Sequence, residues 1–449
     1  MGETVARRLY PGPDRSMSAR SVLLMIILIS GASCSQEIGR PSTETPMRDT
    51  DVSLAEANEA ASNLYKSDAF KATGSSLHGV ASHTGPKAIL NTITAAEAGV
   101  PSFYIVNYVD GGWAVIAGDK RVEPVLAYSE EGKLESGSNI PGGLGTWLLN
   151  THDKMQVLKQ RGLKANVGAA ATSGSSVATK IVPSCVAVSA WAKVSVQQVQ
   201  PDCVAVGGGG GCQDQYSATS VGPLLNTLWD QGCGFNNFAP ACNNPGYCDR
   251  APTGCVATAM AQIMYYWKQP TTYDWASMNP NYGTPEAARL MYDAAAGNGY
   301  YSWGCGGSGV NCGTSATCDG GVTGQFKGKF GYSSADHGGY NFNTLVANLN
   351  AGQPVMLGAY RDENCFLGIC WPIYTGHSWV ADGYQITNSF DCATGTSWQS
   401  KMIHMNWGWG SGYNAWVAED NWAVNVDFND GGGIKNFNYF RDMYSNIRP

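Results

Sequence analysis

The run CVATAMAQIMYYW, residues 255–267, is helix-forming and apolar on nearly all sides. A helix of that kind has no face to give to water, so it must lie at the centre of a domain and be covered all round. It stops before Pro270. Gly254 precedes it, which places Cys255 at its N-terminus. There the unpaired backbone N–H groups and the helix dipole favour an anion, and a thiol pKa falls from about 8.5 toward roughly 3.5 to 7.5. A thiolate so placed is a nucleophile. The ordinary alternative is a disulfide cysteine at a helix start.

Two later segments supply partners. In TGHSWVADGYQI, residues 375–386, His377 begins an apolar strand beside Gly376. In KMIHMNWGWGSGYNAW, residues 401–416, Met402, His404 and Asn406 fall on one face of a strand by alternation, with Ile403, Met405 and Trp407 on the other. The polar connection 387–400 lets the two strands pair as antiparallel neighbours, bringing His377 toward Asn406. A neutral imidazole accepts a thiol proton best when its other nitrogen is held by an acceptor, and an asparagine carbonyl supplies one. Trp407 and Trp409 would cover the pair. His404 competes as a second histidine, and NWGWG also reads as a tight aromatic turn in a β core. Gln231, in PLLNTLWDQGCGFNNFAP (223–240), offers a side-chain NH2 which, with the Cys255 N–H, would form an oxyanion site.

The rest of the chain sorts into segments. Residues 1–34 read as a signal peptide: SVLLMIILI (21–29) is a short apolar run after Arg20, with Met17 as an alternative start. The chain is therefore expected to be exported. Gly31-Ala32-Ser33-Cys34 leaves two routes open, lipidation at Cys34 as a cell-envelope lipoprotein or plain cleavage and secretion. Residues 35–51 are a polar spacer. From 52 to 160 the pattern gives a helix, strands at FYIVNYV and WAVIAG around Asp110-Gly111-Gly112, a further strand at VEPVLAYS and a closing helix, a small α+β unit. Residues 161–215, with GGGGG at 207–211, form a protease-accessible linker, and 216–449 a second α+β domain.

Composition narrows the function classes. A net charge of −7 gives no basic footprint, so nucleic acid is not expected as a partner. Removing Cys34 and Cys255 from the 14 cysteines leaves 12, an even set for disulfides in an exported chain, with no pairing fixed by spacing. Close spacings such as Cys203 with Cys212, Cys305 with Cys312 and Cys318, and Cys365 with Cys370 suit disulfide-closed loops. No HExxH or comparable cluster calls for a metal, and no cofactor is expected.

With these residues assembled, the chain resembles the streptopain family (C10) of papain-like cysteine peptidases. TGCVATAMAQIM is similar to its nucleophile helix, GHSWVADGY to its histidine strand and HMNWGWGSG to its Asn-Trp segment. The resemblance implies a papain-like domain, a central nucleophile helix packed on an antiparallel sheet, behind a small α+β inhibitory propeptide spanning 52–160. It implies Cys255 as nucleophile, His377 as general base and acid, Asn406 as its orienter with Trp407 beside it, and Gln231 as oxyanion donor. Gly376 and Ser315 would contact substrate. The expected life history is a monomeric zymogen, inhibited by its own propeptide and cut within 161–215 to give an endopeptidase acting on proteins or peptides. Two readings keep the fold and change the activity: an inactive surface binding protein with Cys255 in a disulfide, and an acyltransferase or amidase using the same residues.

Overall fold

The computed structural model describes residues 48–66, 86–136, 140–168, 215–296, 303, 321–359, 365–366, 369–370, 377–391, 396–419 and 442–449. Residues 45–449 form one compact unit.

The N-terminal part follows its local signals. Helix α1 (Leu54–Asn63) begins at a capping box: Ser53 accepts from the Glu56 N–H, and the Glu56 carboxylate reaches back to the Ser53 N–H. Strands β1 (Ile89–Glu97), β2 (Val100–Tyr108), β3 (Trp113–Ala117) and β4 (Val125–Ser129) form an antiparallel meander. The expected strands around Asp110-Gly111-Gly112 are β2 and β3, with Gly111 and Gly112 both at positive φ in the turn. The closing helix is α2 (Gly142–Gly168). A buried ion pair ties it to the segment just before α1. Lys159 Nζ stands 2.7 Å from Asp51 Oδ1, with both side chains almost fully excluded from water, and Arg48 also donates to Asp51.

The C-terminal part carries β5 (Gln215–Val221), helix α3 (Cys255–Trp267), helix α4 (Pro285–Ala296), β6 (Ser334–Gly339), helix α5 (Phe342–Asn350), β7 (Val355–Ala359), β8 (His377–Asp391), β9 (Thr396–Asn406), β10 (Ala415–Ala418) and β11 (Asp442–Arg448). Helix α3 is buried from Cys255 to Tyr265, as its uninterrupted apolar sequence requires, and ends at Lys268 in the left-handed region. Strands β8 and β9 pair antiparallel, with Val380 opposite Asn406 and Gly383 opposite His404. That is the neighbour relation expected from their short polar connection.

All the strands named belong to one antiparallel sheet, in the order β1-β2-β3-β4-β10-β9-β8-β7-β11-β6 with β5 added on β8. The seam between the two parts is β4 on β10, where Tyr128 faces Trp416 and Ala127 faces Val417. Alternation along β8 then separates two cores: Trp379 and Ala381 join the one shared with α2 and the N-terminal strands, while Val380 joins the one around α3. The fold is α+β, with a central helix on an antiparallel sheet, as expected. The N-terminal unit extends that sheet rather than merely leaning on the domain.

Candidate active site

Cys255 opens α3 behind Gly254, whose φ of 84° turns the chain into the helix, and no side chain caps the first turn. Those N–H groups are therefore available to the sulfur, which takes backbone hydrogen bonds from Ser378, Val256 and Cys255 itself. The Ser378 contact joins the helix start to the strand that begins with His377. Cys255 is outside any disulfide. Sequence position alone predicts a depressed thiol pKa. Burial instead pushes the Cys255 thiol up, outweighing the backbone donors.

His377 is 6% exposed, and its ring stacks on Trp379 at 5.8 Å between centroids with 16° between planes. Nε2 donates to the Trp407 carbonyl at 3.1 Å. Burial lowers the imidazole to about 4, against a smaller opposing effect of that hydrogen bond. Around neutral pH the two groups are therefore a thiol and a neutral imidazole rather than an ion pair.

Part of the burial of the imidazole is visible at the start of α2. A Cβ placed on Gly143 would stand 2.6 Å from Trp407 Cζ3 and 2.9 Å from His377 Cδ2, so the N-terminal unit lies directly on both rings. Trp407 is fully buried beneath it.

Asn406 is buried and near His377 in the sheet, but its side chain is used elsewhere in this conformation. Nδ2 donates to the Thr227 carbonyl at 2.7 Å, and Oδ1 accepts from the Gly408 N–H at 3.2 Å. The imidazole proton goes to the neighbouring Trp407 carbonyl instead. The competing histidine is accounted for: His404 Nδ1 lies 2.6 Å from Oδ1 of the fully buried Asp382, and that carboxylate also accepts from the Leu225 N–H.

Gln231 is brought beside the helix start by its own backbone, since its carbonyl accepts from the Thr253 N–H at 3.0 Å, two residues before Cys255. The surrounding loop is braced by a Cys233–Cys248 disulfide, a pairing that spacing did not single out. Gly376 and Ser315 lie outside the described residues, as do Cys34 and the closely spaced cysteines other than Cys365 and Cys370, whose backbones pair opposite one another. Among the described residues no cluster of His, Cys, Asp and Glu could hold a metal ion, and no helix is long and apolar enough to cross a membrane. Sequence reasoning did not single out Ser378, Trp379 or Asn414. Trp379 had a signal: it lies two residues beyond His377 and so on the same strand face.

Comparisons with known proteins place the chain among similar sequences. Residues 49–155 match the family model described as Spi protease inhibitor, and residues 229–272 and 271–417 match the peptidase C10 family. Streptopain of Streptococcus pyogenes serotype M1 is 22% identical over 387 residues, covering 78% of this chain and 81% of its own. The thiol protease/hemagglutinin PrtT of Porphyromonas gingivalis is 43% identical over 60 residues, 12% of this chain and 7% of its own. Among solved structures, a prointerpain A fragment of Prevotella intermedia is 19% identical with a TM-score of 0.48, covering 81% of this chain and 99% of its own. Active interpain A of the same organism is 22% identical with a TM-score of 0.34, covering 51% of this chain and 96% of its own. Residues 229–417 thus carry a peptidase C10-type sequence and residues 49–155 an inhibitor-type propeptide ahead of it, the arrangement of a streptopain-type cysteine peptidase precursor.

Proposed function

We propose that the chain is an exported endopeptidase made as a zymogen, in which Cys255 attacks peptide carbonyls and His377 moves the protons. The observation that carries this reading is the placement of the Cys255 thiol at an uncapped helix start, hydrogen-bonded to the backbone one residue beyond His377. Once the propeptide spanning 52–160 leaves, the imidazole is uncovered and can take the thiol proton. The thiolate adds to the scissile carbonyl, and the tetrahedral oxyanion is held by the Cys255 N–H and the Gln231 side chain. Collapse breaks the C–N bond, with the imidazolium protonating the leaving amine. Water, deprotonated by His377, then hydrolyses the thioester and restores the thiol. Asn406 orients the imidazole in that state, with Trp407 shielding it, and Gly376 and Ser315 contact the substrate backbone.

Processing would fall within 161–215, releasing a monomeric peptidase from 216 onward, and the apolar run at 21–29 directs export, with or without a lipid on Cys34. The reduced state of Cys255 favours catalysis over an inactive binding protein. The test is turnover of a protein substrate by processed wild type and Cys255→Ala. Abolished hydrolysis in the variant is expected, and comparable turnover would overturn the assignment. Transfer to amine acceptors outpacing hydrolysis would favour the acyltransferase alternative.

A further inference from the structure

Between Gln231 and Thr253 the chain makes one stapled loop that opens and closes beside the start of α3. Its neck is the hydrogen bond from the Thr253 N–H to the Gln231 carbonyl at 3.0 Å. Just inside the neck the Cys233–Cys248 disulfide joins the two arms, with Cα atoms 5.5 Å apart and a sequence separation of 15. Further out, the buried Asn236 donates from Nδ2 to the Tyr247 and Ala251 carbonyls at 2.8 and 3.2 Å. Arg250 donates to the Ala239 carbonyl at 2.7 Å, and Cys242 is in a disulfide of its own. The covalent staple nearest Gln231 is thus the one at Cys233, two residues along the same arm. Gly232 and Gly234 flank Cys233, with Gly234 at φ 91°, so the arm has little stiffness of its own.

An oxyanion donor helps only if it is in place before the charge forms. We propose that Cys233 and Cys248 are a positioning pair for Gln231, keeping the neck closed so that its side chain is held ready, and that reduction of their disulfide lowers turnover while Cys255 stays intact. The inference rests on the reading of Cys255 as nucleophile and Gln231 as oxyanion donor. Both half-cystines are exposed, whereas Cys255 is buried and free. Exposed disulfides are the ones that small thiols reach and reduce. With a dithiol such as dithiothreitol, the Cys233–Cys248 bond breaks to two thiols as the reagent closes to its cyclic disulfide. The loop needs an oxidised pair and the nucleophile needs a free thiol, so activity is bounded on both the oxidising and the reducing side.

The test is a double-mutant comparison in the enzyme processed from the full chain, with kcat counted per active centre by titration with an irreversible thiol-directed inhibitor. Cys233→Ser with Cys248→Ser should lower kcat roughly ten- to a hundredfold with KM little changed, the cost of a slightly misplaced group. In a Gln231→Ala background the same two substitutions should cost less than about twofold, because the donor they position is already gone. Dithiothreitol titration of wild type, with each disulfide followed by alkylation and peptide mass, should reproduce the fall as Cys233 and Cys248 become alkylatable. The doubly substituted enzyme should show no such fall. Full turnover in wild type with this bond reduced would overturn the inference, as would a fall that follows the Cys242 disulfide instead. Equal losses in the two backgrounds beside a defective Gln231→Ala would overturn the positioning role alone. If Gln231→Ala itself leaves kcat unchanged, the oxyanion reading fails and the inference with it.

Discussion

Gly143 of the propeptide lies against His377 so closely that a Cβ at that position would meet the imidazole Cδ2 at 2.9 Å. The same atom would meet the Trp407 ring at 2.6 Å, and Trp407 is packed against Trp379 at 5.0 Å between centroids, with no space to retreat. A side chain there is a wedge between propeptide and peptidase. Gly143→Val should weaken docking by about 1 to 3 kcal/mol, the usual cost of overpacking. In a time course of intact mass, the variant precursor should be processed several-fold faster than wild type. Slower or unchanged processing would place the propeptide's hold elsewhere.

The seam between the two units should also respond to pH. Glu123 of the propeptide is hydrogen-bonded to Ser400 of β9, and burial raises its carboxyl from 4.5 to about 7. The docked state therefore keeps a proton that the released propeptide gives up between about pH 4.5 and 7. Glu123 thus favours docking most below that window and less as pH rises through it, while His377, held near 4 in the docked state, opposes docking as pH falls. The Glu123 contribution is therefore read as a difference between two proteins, by gel filtration of Cys255→Ala precursors nicked in the linker, with and without Glu123→Gln. Because Gln stays neutral like the protonated carboxyl, the variant should match its parent at pH 4.5 and hold the propeptide more tightly than it at pH 7.5. Equal dissociation of the two at both pH values would remove Glu123 from the seam.

Lys159 and Asp51 hold the propeptide to itself. Removing one partner leaves the other charge buried, which costs about 3 to 5 kcal/mol. Asp51→Ala in the Cys255→Ala background should therefore lower the melting temperature of the precursor markedly. The double variant Asp51→Leu with Lys159→Met should recover most of the loss, since two apolar side chains need no ionic partner. Equal melting of the single and double variants would mean that the pair is not coupled.

Much of this arrangement was legible in the sequence, for reasons that can be named. Helix α3 declares itself because no polar stripe interrupts residues 255–265, and β8 and β9 because each carries an apolar run and a polar connection joins them. Asn406 was expected to hold the imidazole, but its side chain is engaged by Thr227 and Gly408 while the imidazole uses the Trp407 carbonyl, and a backbone group has no sequence signature. The thiol pKa was expected to fall with the helix dipole. Its rise comes from burial in the core around α3, where residues distant in sequence such as Trp229, Met356 and Val380 gather. His404 was separable from His377 only once Asp382 was found beside it.

Gln231 carries a distinct expectation. Losing one oxyanion donor typically costs about 10² to 10³ in kcat. Gln231→Ala in the processed enzyme should show such a drop with KM little changed, measured on a short peptide substrate. A change of less than a few-fold would remove Gln231 from the site.

The central claim is that Cys255 and His377 become one catalytic unit when the propeptide leaves, and the most direct measurement is the pH profile of Cys255 alkylation in the processed enzyme. Processed wild type should react well below pH 7 with a plateau that marks a thiolate beside an imidazolium, and His377→Ala should lose that plateau and react only as an ordinary thiol near pH 8.5. Identical profiles for the two proteins would contradict the pairing.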